Sequence, residues 1–330
     1  MTSPELVVLE SVPAPRPTTN PYLVQLLRCL PAGVTAVTFS WRFALTGRYD
    51  VFHVHWPENL ARGSGRARTV ARQLALAALL ARLTVTRTPV VRTLHNTAPH
   101  EGGGRVERLL LRGVDRRTAL WITLGDAVPA PGPAVTIPHG HYRDWYRGHE
   151  VPARVPGRIL FVGLIRPYKG VEDLLAAFQG AADGLELRIV GRPTEETLGR
   201  AVRDAAAADP RISALLEYVD DPTMARETGR SQVVVLPYRR LENSGAALLA
   251  LSFARPVLLP EGPVADALAA EVGSRWVRTF RAPLTAADLE AAVAAAGALT
   301  EGDRPDLGAR EWAASGEAHA EAFRRVLARG

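Results

Sequence analysis

Glycine, two cations and a helix start come together at Gly163-Leu164-Ile165-Arg166-Pro167-Tyr168-Lys169-Gly170, between the apolar run Arg158–Val162 and Val171-Glu172-Asp173-Leu174. Glycine lets the backbone approach a ligand, and an arginine fork matches phosphate oxygens. A lysine beside a helix N-terminus adds charge where unpaired N–H groups already favour an anion. Such a segment suits a diphosphate, held through Arg166 and Lys169. Lys169 is also the only lysine of the chain, every other basic residue apart from histidine being arginine. A general drift away from lysine has spared this one position.

A second cradle is Pro237-Tyr238-Arg239-Arg240-Leu241-Glu242-Asn243-Ser244-Gly245, ahead of the apolar helical pattern Ala246–Phe253. Ser244 and Gly245 open that helix, so their backbone N–H groups and its positive dipole end can meet the same phosphates, with Asn243 or Ser244 as N-cap. Glu242 and Asn243 are candidates to bind a sugar or ribose. Gly191-Arg192 and Tyr218-Val219 follow or end predicted strands and are candidates to bracket a nucleobase; Asp220-Asp221 would serve equally to cap the next helix.

Seven of the eight histidines lie between positions 53 and 149. They cluster after predicted strands, as His53-Val54-His55-Trp56-Pro57-Glu58, as Leu94-His95-Asn96 with His100-Glu101, and as Pro138-His139-Gly140-His141-Tyr142. Imidazole and carboxylate groups suit proton abstraction from a hydroxyl and hydrogen bonding to sugars. His53, on an apolar strand, reads as a core residue. The spacings match no zinc pattern and no cysteine assists, so neither a metal nor a cofactor is expected. The single cysteine, Cys29, excludes an internal disulfide and reads as a packing residue.

Positioning these groups takes alternating strands and helices, the pattern of parallel sheets flanked by helices. The first half offers strands at Leu6–Glu10, Val34–Phe39, Val51–Val54, Val90–Leu94, Ala119–Thr123 and Val135–Ile137. The proline-bearing stretch Gly148–Gly157 has linker chemistry, and the alternation then restarts at Arg158–Val162, Glu186–Val190, Leu215–Val219, Gln232–Leu236 and Val257–Leu259. A last amphipathic helix is expected over Leu307–Ala328. Domains are therefore expected at 1–150 and 151–305, with a tail at 306–330. In open parallel sheets ligands bind beyond the carboxyl ends of the strands, where the unusual residues fall.

The net charge of +6 and pI near 9.9 invite a nucleic-acid partner, but the arginines are dispersed and not interleaved with aromatics, which argues against one. No apolar run approaches the roughly 20 residues of a membrane span. The N-terminus lacks a signal-peptide pattern, so a cytoplasmic protein is expected. Arg62–Leu83 carries arginines at 62, 66, 68, 72 and 82 beside Leu74, Leu76, Leu79 and Leu80, which suits peripheral contact with an anionic membrane or packing on a sheet.

Gly163–Gly170 with Val171-Glu172-Asp173-Leu174-Leu175, and Asn243-Ser244-Gly245 with Ala250-Leu251-Ser252-Phe253-Ala254-Arg255-Pro256-Val257, resemble the donor half of GT-B glycosyltransferases of group 1 type. The closest likeness is to bacterial enzymes that build polysaccharide, glycolipid or natural-product sugars. Asn20-Pro21-Tyr22, His95-Asn96 and Pro138-His139-Gly140 are similar to acceptor-half and hinge motifs of that group. The resemblance implies an α/β GT-B fold, two Rossmann-like domains with the acceptor half first and the tail helix crossing back. It implies sugar transfer from a UDP- or GDP-sugar to an acceptor hydroxyl, with the diphosphate neutralised by Arg166 and Lys169 without metal, as the absence of an Asp-x-Asp motif also suggests. His95, Glu101 and Glu58 become candidate bases, and His139 a donor-sugar contact. Two departures stand out. The family's second donor-loop glutamate falls on Leu249 or Ala250, and the arginine precedes the lysine by three residues instead of five. These lean towards inversion of configuration; a non-catalytic sugar-nucleotide-binding subunit and an epimerase are the alternatives.

Overall fold

The computed structural model describes residues 5–95, 103–242 and 244–328. They divide into two compact units, Met1–Gly140 with Ala309–Gly330, and His141–Gly308.

Unit 1 runs β1 (Leu6–Glu10), α1 (Pro21–Cys29), β2 (Val34–Val37), α2 (Trp41–Thr46), β3 (Val51–Val54), α3 (Glu58–Ala61), α4 (Arg66–Val85), β4 (Val90–Leu94), α5 (Arg105–Arg117), β5 (Thr118–Thr123) and β6 (Ala134–Thr136). Its strands form one parallel sheet in the order β2-β1-β3-β4-β5-β6. The central strands are apolar on both faces, as a sheet covered on both sides requires. Helices α2 and α4 pack over Phe52, Val54 and Val90, while α12 (Trp312–Leu327) brings Phe323 and Val326 against Val8, Val51 and Val91 on another part of the core. Asn20 caps α1 by accepting from the Tyr22 N–H at 3.0 Å, with Pro21 at the first helical position.

Unit 2 repeats the scheme with β7 (Arg158–Val162), α6 (Val171–Gln179), β8 (Glu186–Val190), α7 (Glu196–Ala208), β9 (Ile212–Leu215), α8 (Asp221–Arg230), β10 (Val233–Val235), α9 (Gly245–Ser252), β11 (Val257–Pro260), α10 (Pro263–Val272), β12 (Val277–Phe280) and α11 (Ala286–Gly297). The parallel order is β12-β11-β10-β7-β8-β9. The next-to-last connection, from β10 to β11, carries α9, which is apolar all round, with Ala247 to Leu251 all buried.

Three expectations need correction. The strand expected at Leu215–Val219 is Ile212–Leu215, because β8 pairs with it from Leu187↔Ile212 to Val190↔Leu215 and then ends, leaving residues 216–219 no partner. Tyr218 and Val219 therefore lie beyond the strand. The last helix begins at Trp312, not Leu307, because Leu307 is fully buried in the core of unit 2 and a 3-10 turn, Gly308–Arg310, intervenes. The short helices α2 and α3 and the edge strand β12 were not anticipated, being too short to set up a periodic pattern.

Candidate active site

In unit 2 the carboxyl ends of the adjacent strands β10, β7 and β8 release the loops that carry the expected phosphate ligands. Backbone bonds lock these loops together: Gly163 N–H donates to Val190 O at 2.9 Å, Ile165 N–H to Arg192 O at 3.0 Å, and Arg239 N–H to Tyr168 O at 2.8 Å. Two glycines make the approach feasible. Gly191, at φ +145, has no room for a Cβ, which would stand 1.9 Å from Gly163 O, and at Gly170, φ +67, it would stand 2.1 Å from Pro237 O.

Lys169 ends the turn Pro167–Lys169, and its Nζ sits 5.0 Å from the Tyr238 ring centroid. Lys169 N–H donates to Arg166 O at 2.9 Å, but neither side chain makes a hydrogen bond or ion pair among the described residues. Arg239, by contrast, is tied to Asp173 through Nε at 2.9 Å and Nη2 at 3.0 Å. Burial draws the Lys169 ammonium below its ordinary range; Tyr168 opposes this and the Arg166 charge adds to it. Among the described residues the loop thus holds a pair of cations without a counter-charge, an arrangement that suits a leaving diphosphate. Ser244 caps α9, its Oγ accepting from Ala247 N–H at 3.1 Å, so the first turn beginning at Gly245 presents its free N–H groups at the carboxyl end of β10. Gly191 is buried in the loop contact, Arg192 and Tyr218 are exposed, and Val219 and Glu242 are half-buried. Asn243 lies outside the described residues.

In unit 1 the carboxyl ends of β1, β3 and β4, neighbours in the sheet, bring together a buried polar network. His95 Nε2 lies 3.0 Å from His55 Nδ1, and His55 Nε2 lies 3.1 Å from Glu10 Oε2. The other Glu10 oxygen, Oε1, meets His53 Nδ1 at 3.1 Å, and His53 Nε2 meets Thr93 Oγ1 at 2.8 Å. Glu10, His53 and Thr93 are at most 1% exposed and His55 2%. Burial alone would raise the Glu10 pKa, but the charge and hydrogen bonds of His53, then of His55, hold it well below the usual carboxylate range. Burial, then the His53 charge, lowers His55 to about 4, and burial, then His55 and His139, draws His95 well below its ordinary value. An anionic Glu10 beside neutral His55 and His95 results. Glu10, His53 and His55 bring three potential ligand atoms within 4.8 Å of one another, but the same atoms are already spent in these hydrogen bonds.

Aromatic rings surround the outer histidine. Trp56 stacks on His95 at 4.0 Å and 18°, and Tyr22 lies edge-on to it at 5.2 Å. Tyr22 also meets His139 at 4.6 Å and Trp312 at 5.5 Å, so α1, the β6 exit and α12 share this nest. His139 Nδ1–H donates to Gly140 O at 2.7 Å, and burial lowers the pKa of the ring to about 4. Glu58 opens α3, half-buried; among the described residues it makes no hydrogen bond to the histidines, and its charge acts on Arg92. Glu101 lies outside the described residues.

Sequence reasoning missed Glu10, Thr93 and the partnership of His53, which is more than core filling. It also missed His319 of α12, fully buried 5.8 Å from His53. A carboxylate ending an otherwise apolar strand, as Glu10 ends β1, was the available signal.

The family model described as "Glycosyl transferases group 1" matches residues 156–296. A GDP-mannose:glycolipid 4-β-D-mannosyltransferase of Xanthomonas campestris is 47% identical over 327 residues, 98% of this chain and 94% of that protein. Solved structures with the same fold include AviGT4, a glycosyltransferase involved in avilamycin A biosynthesis, at TM-score 0.61, 16% identity and 99% coverage of both chains. Anabaena HepE in complex with UDP matches at TM-score 0.62 and 13% identity, covering 97% of this chain and 100% of that one. Two parallel six-stranded sheets and full-length kinship to a mannosyltransferase agree: the chain belongs to the group 1 glycosyltransferases of GT-B fold and is a glycosyltransferase.

Proposed function

We propose that this enzyme transfers mannose from GDP-mannose to a hydroxyl of a glycolipid with inversion at the anomeric carbon, unit 1 serving the acceptor and unit 2 the donor. The unpaired cations of the Gly163–Gly170 loop carry the donor side of the proposal, because they match the charge that GDP gains as it leaves. The mannosyl donor, the lipid acceptor and the β product are properties of the Xanthomonas relative, supported here by 47% identity over nearly the whole chain. A β product from an α-linked donor requires a single displacement and therefore a base on the acceptor side.

His95 is the base that the unit 1 network favours. Proton bookkeeping gives it a definite tautomer: carboxylate Glu10 accepts from His55 Nε2–H, so neutral His55 accepts at Nδ1 from His95 Nε2–H, which leaves the His95 lone pair on Nδ1. As the acceptor oxygen bonds to the anomeric carbon, its proton passes to His95 Nδ1 and the carbon–oxygen bond to GDP breaks. Arg166, Lys169 and the first turn of α9 take the departing charge. Glu10 and His55 act through His95 as positioning groups, stabilising the imidazolium it becomes. Ser244 and Gly245 are the proposed further contacts to the diphosphate, Gly191, Arg192, Tyr218, Val219, Glu242, Asn243 and His139 those to the sugar, ribose or base of the donor, and no metal ion takes part.

No helix of the described residues is long and apolar enough to cross a membrane. The acceptor is reached instead from the surface of a bilayer, through α4 and α5. These pack on one another and leave Val70, Leu74, Val106 and Leu109 more than half exposed beside Arg66, Arg68, Arg105, Arg108 and Arg112. Apolar side chains flanked by arginines suit the interface of an anionic membrane.

One preparation tests both parts. The purified chain, given vesicles with anionic lipid and a glycolipid ending in a free 4-hydroxyl, should transfer from GDP-mannose in preference to UDP-sugars, with a β linkage by NMR. Leu74→Asp with Leu109→Asp should release it from the vesicles while leaving transfer to a detergent-dispersed acceptor intact. An α linkage or preference for a UDP-sugar would overturn the donor assignment, and undiminished vesicle binding would overturn the surface.

A further inference from the structure

Unit 2 encloses a second polar site, at the edge of the sheet opposite the donor loops. A cavity of about 430 Å³ lies between the segment leading into β7, the carboxyl end of α9 and residues 301–304. Arg255, which precedes β11, and Ala153 and Arg154, which precede β7, stand at the amino ends of strands, whereas Lys169 and Ser244 follow the carboxyl ends of β7 and β10.

Four arginines line this cavity, Arg143, Arg154, Arg255 and Arg304, against one carboxylate, Glu301. Among the described residues each guanidinium is anchored on backbone carbonyls alone. Arg143 Nη2 donates to Pro305 O at 2.6 Å, Arg154 Nη2 to Thr300 O at 2.7 Å, and Arg304 Nη1 to Asp303 O at 2.8 Å. Arg255, 7% exposed, donates to Gly229 O and to Phe253 O at 3.0 Å. None of the four forms an ion pair among the described residues. Burial lowers Arg255 to about 10, the charges of Arg154 and Arg304 add to this, and Glu301 offsets part of it.

Capping of carbonyls explains where each guanidinium is tethered. It does not explain why four like charges converge on one cavity with a single carboxylate, an arrangement that repels itself and costs the buried member most. An anion with more than one charge removes that cost, and arginine forks match phosphoryl oxygens. The volume exceeds that of a bare phosphate and falls within the range of small-molecule sites, with Tyr142, Tyr146 and Phe253 offering an apolar wall for an organic body.

We propose that this cavity is a second anion site, which takes the phosphoryl group of a phosphorylated ligand and is separate from the donor loops. The ligand ties together the segment by which the chain enters unit 2 and the one by which it leaves, since Arg143 and Arg154 come from the first and Arg304 from the second.

Calorimetric titration of the full chain with inorganic pyrophosphate tests this. Lys169→Ala should leave one class of site, and adding Arg154→Ser with Arg304→Ser should weaken that residual binding by about tenfold or more, as expected for lost charge-assisted contacts. Arg255 stays in place because it is buried, and an unchanged melting temperature shows that the triple variant is folded. Vesicles bearing phosphatidic acid identify the source. Arginine-dependent binding of Lys169→Ala to them assigns the phosphate to a lipid headgroup, and pyrophosphate binding without it assigns a soluble ligand; both support the site. Loss of all pyrophosphate binding in Lys169→Ala alone, or residual binding unchanged by the arginine substitutions, overturns it.

Discussion

The donor loops of unit 2 and the histidine network of unit 1 occupy equivalent places, the carboxyl ends of central parallel strands, yet they are built by opposite means. The loops of unit 2 leave their charges unsatisfied: the Lys169 and Arg166 side chains have no hydrogen-bonding or ion-pair partner among the described residues, while the backbone around them is locked through Gly163, Gly191 and Gly170. The histidine network satisfies its polar atoms internally, in a chain running from Thr93 through His53, Glu10 and His55 to His95. On the proposed reading, one site takes a charged ligand and the other supplies a proton acceptor whose tautomer its hydrogen bonds fix. If binding energy and proton transfer fall to different halves as proposed, substitutions in the two should fail in different ways.

Lys169→Ala should fail hardest. If the ammonium stabilises charge that grows as the diphosphate departs, as proposed, its removal should lower kcat/KM by about 10²–10³-fold, the range for a lost transition-state donor. Because the side chain stands against the Tyr238 ring and not within the core of the sheet, the melting temperature should stay close to that of the parent. Turnover within a few-fold of the parent would remove the diphosphate role and erase the contrast.

The contrast also explains what was legible in the sequence. The donor loop announces itself locally, because glycine, arginine, proline, lysine and glycine must sit within eight residues for one strand–turn–helix to form it. The parallel sheets were readable for a similar reason, each strand being a short apolar run between turn residues. Glu10 could not be read that way. Its partners His53 and His55 are 43 and 45 residues distant, and His55 meets His95 across another 40, so only the strand order β1-β3-β4 brings the four side chains together. The shortened β9 and the late start of α12 were hidden similarly, one by where its neighbour ends and the other by burial of Leu307.

Glu10→Gln is the sharper probe of the unit 1 side. The amide is nearly isosteric but carries no charge, so it can still bond His55 while no longer stabilising an imidazolium at the far end of the chain. We expect kcat to fall about 10- to 100-fold, with the KM for GDP-mannose unchanged. A purely structural role would lower thermal stability and the active fraction without altering the pH dependence of kcat. A relay role shifts the limb of the kcat–pH profile that reports the base. Loss of donor affinity in place of kcat would move Glu10 out of the proton path.

The smallest expected effect separates the units by stability. His55 and His139, both held at about 4, and His319, held at about 3, are all depressed in the folded state by burial. Unfolded histidine titrates near 6.5, so below that value the unfolded chain binds more protons. The stabilisation is complete above pH 6.5 and is lost as pH falls towards 4, at about 1 kcal/mol per histidine by pH 5.5. All three lie in unit 1, and Arg255, the buried cation of unit 2, stays protonated throughout this window. Pulse proteolysis in urea, with fragments assigned by mass, should therefore show the urea midpoint of unit 1 falling between pH 7 and 5.5 more than that of unit 2. Equal shifts in both units would mean that the histidine network is not held neutral by the fold, and the base assigned to His95 would lose its physical ground.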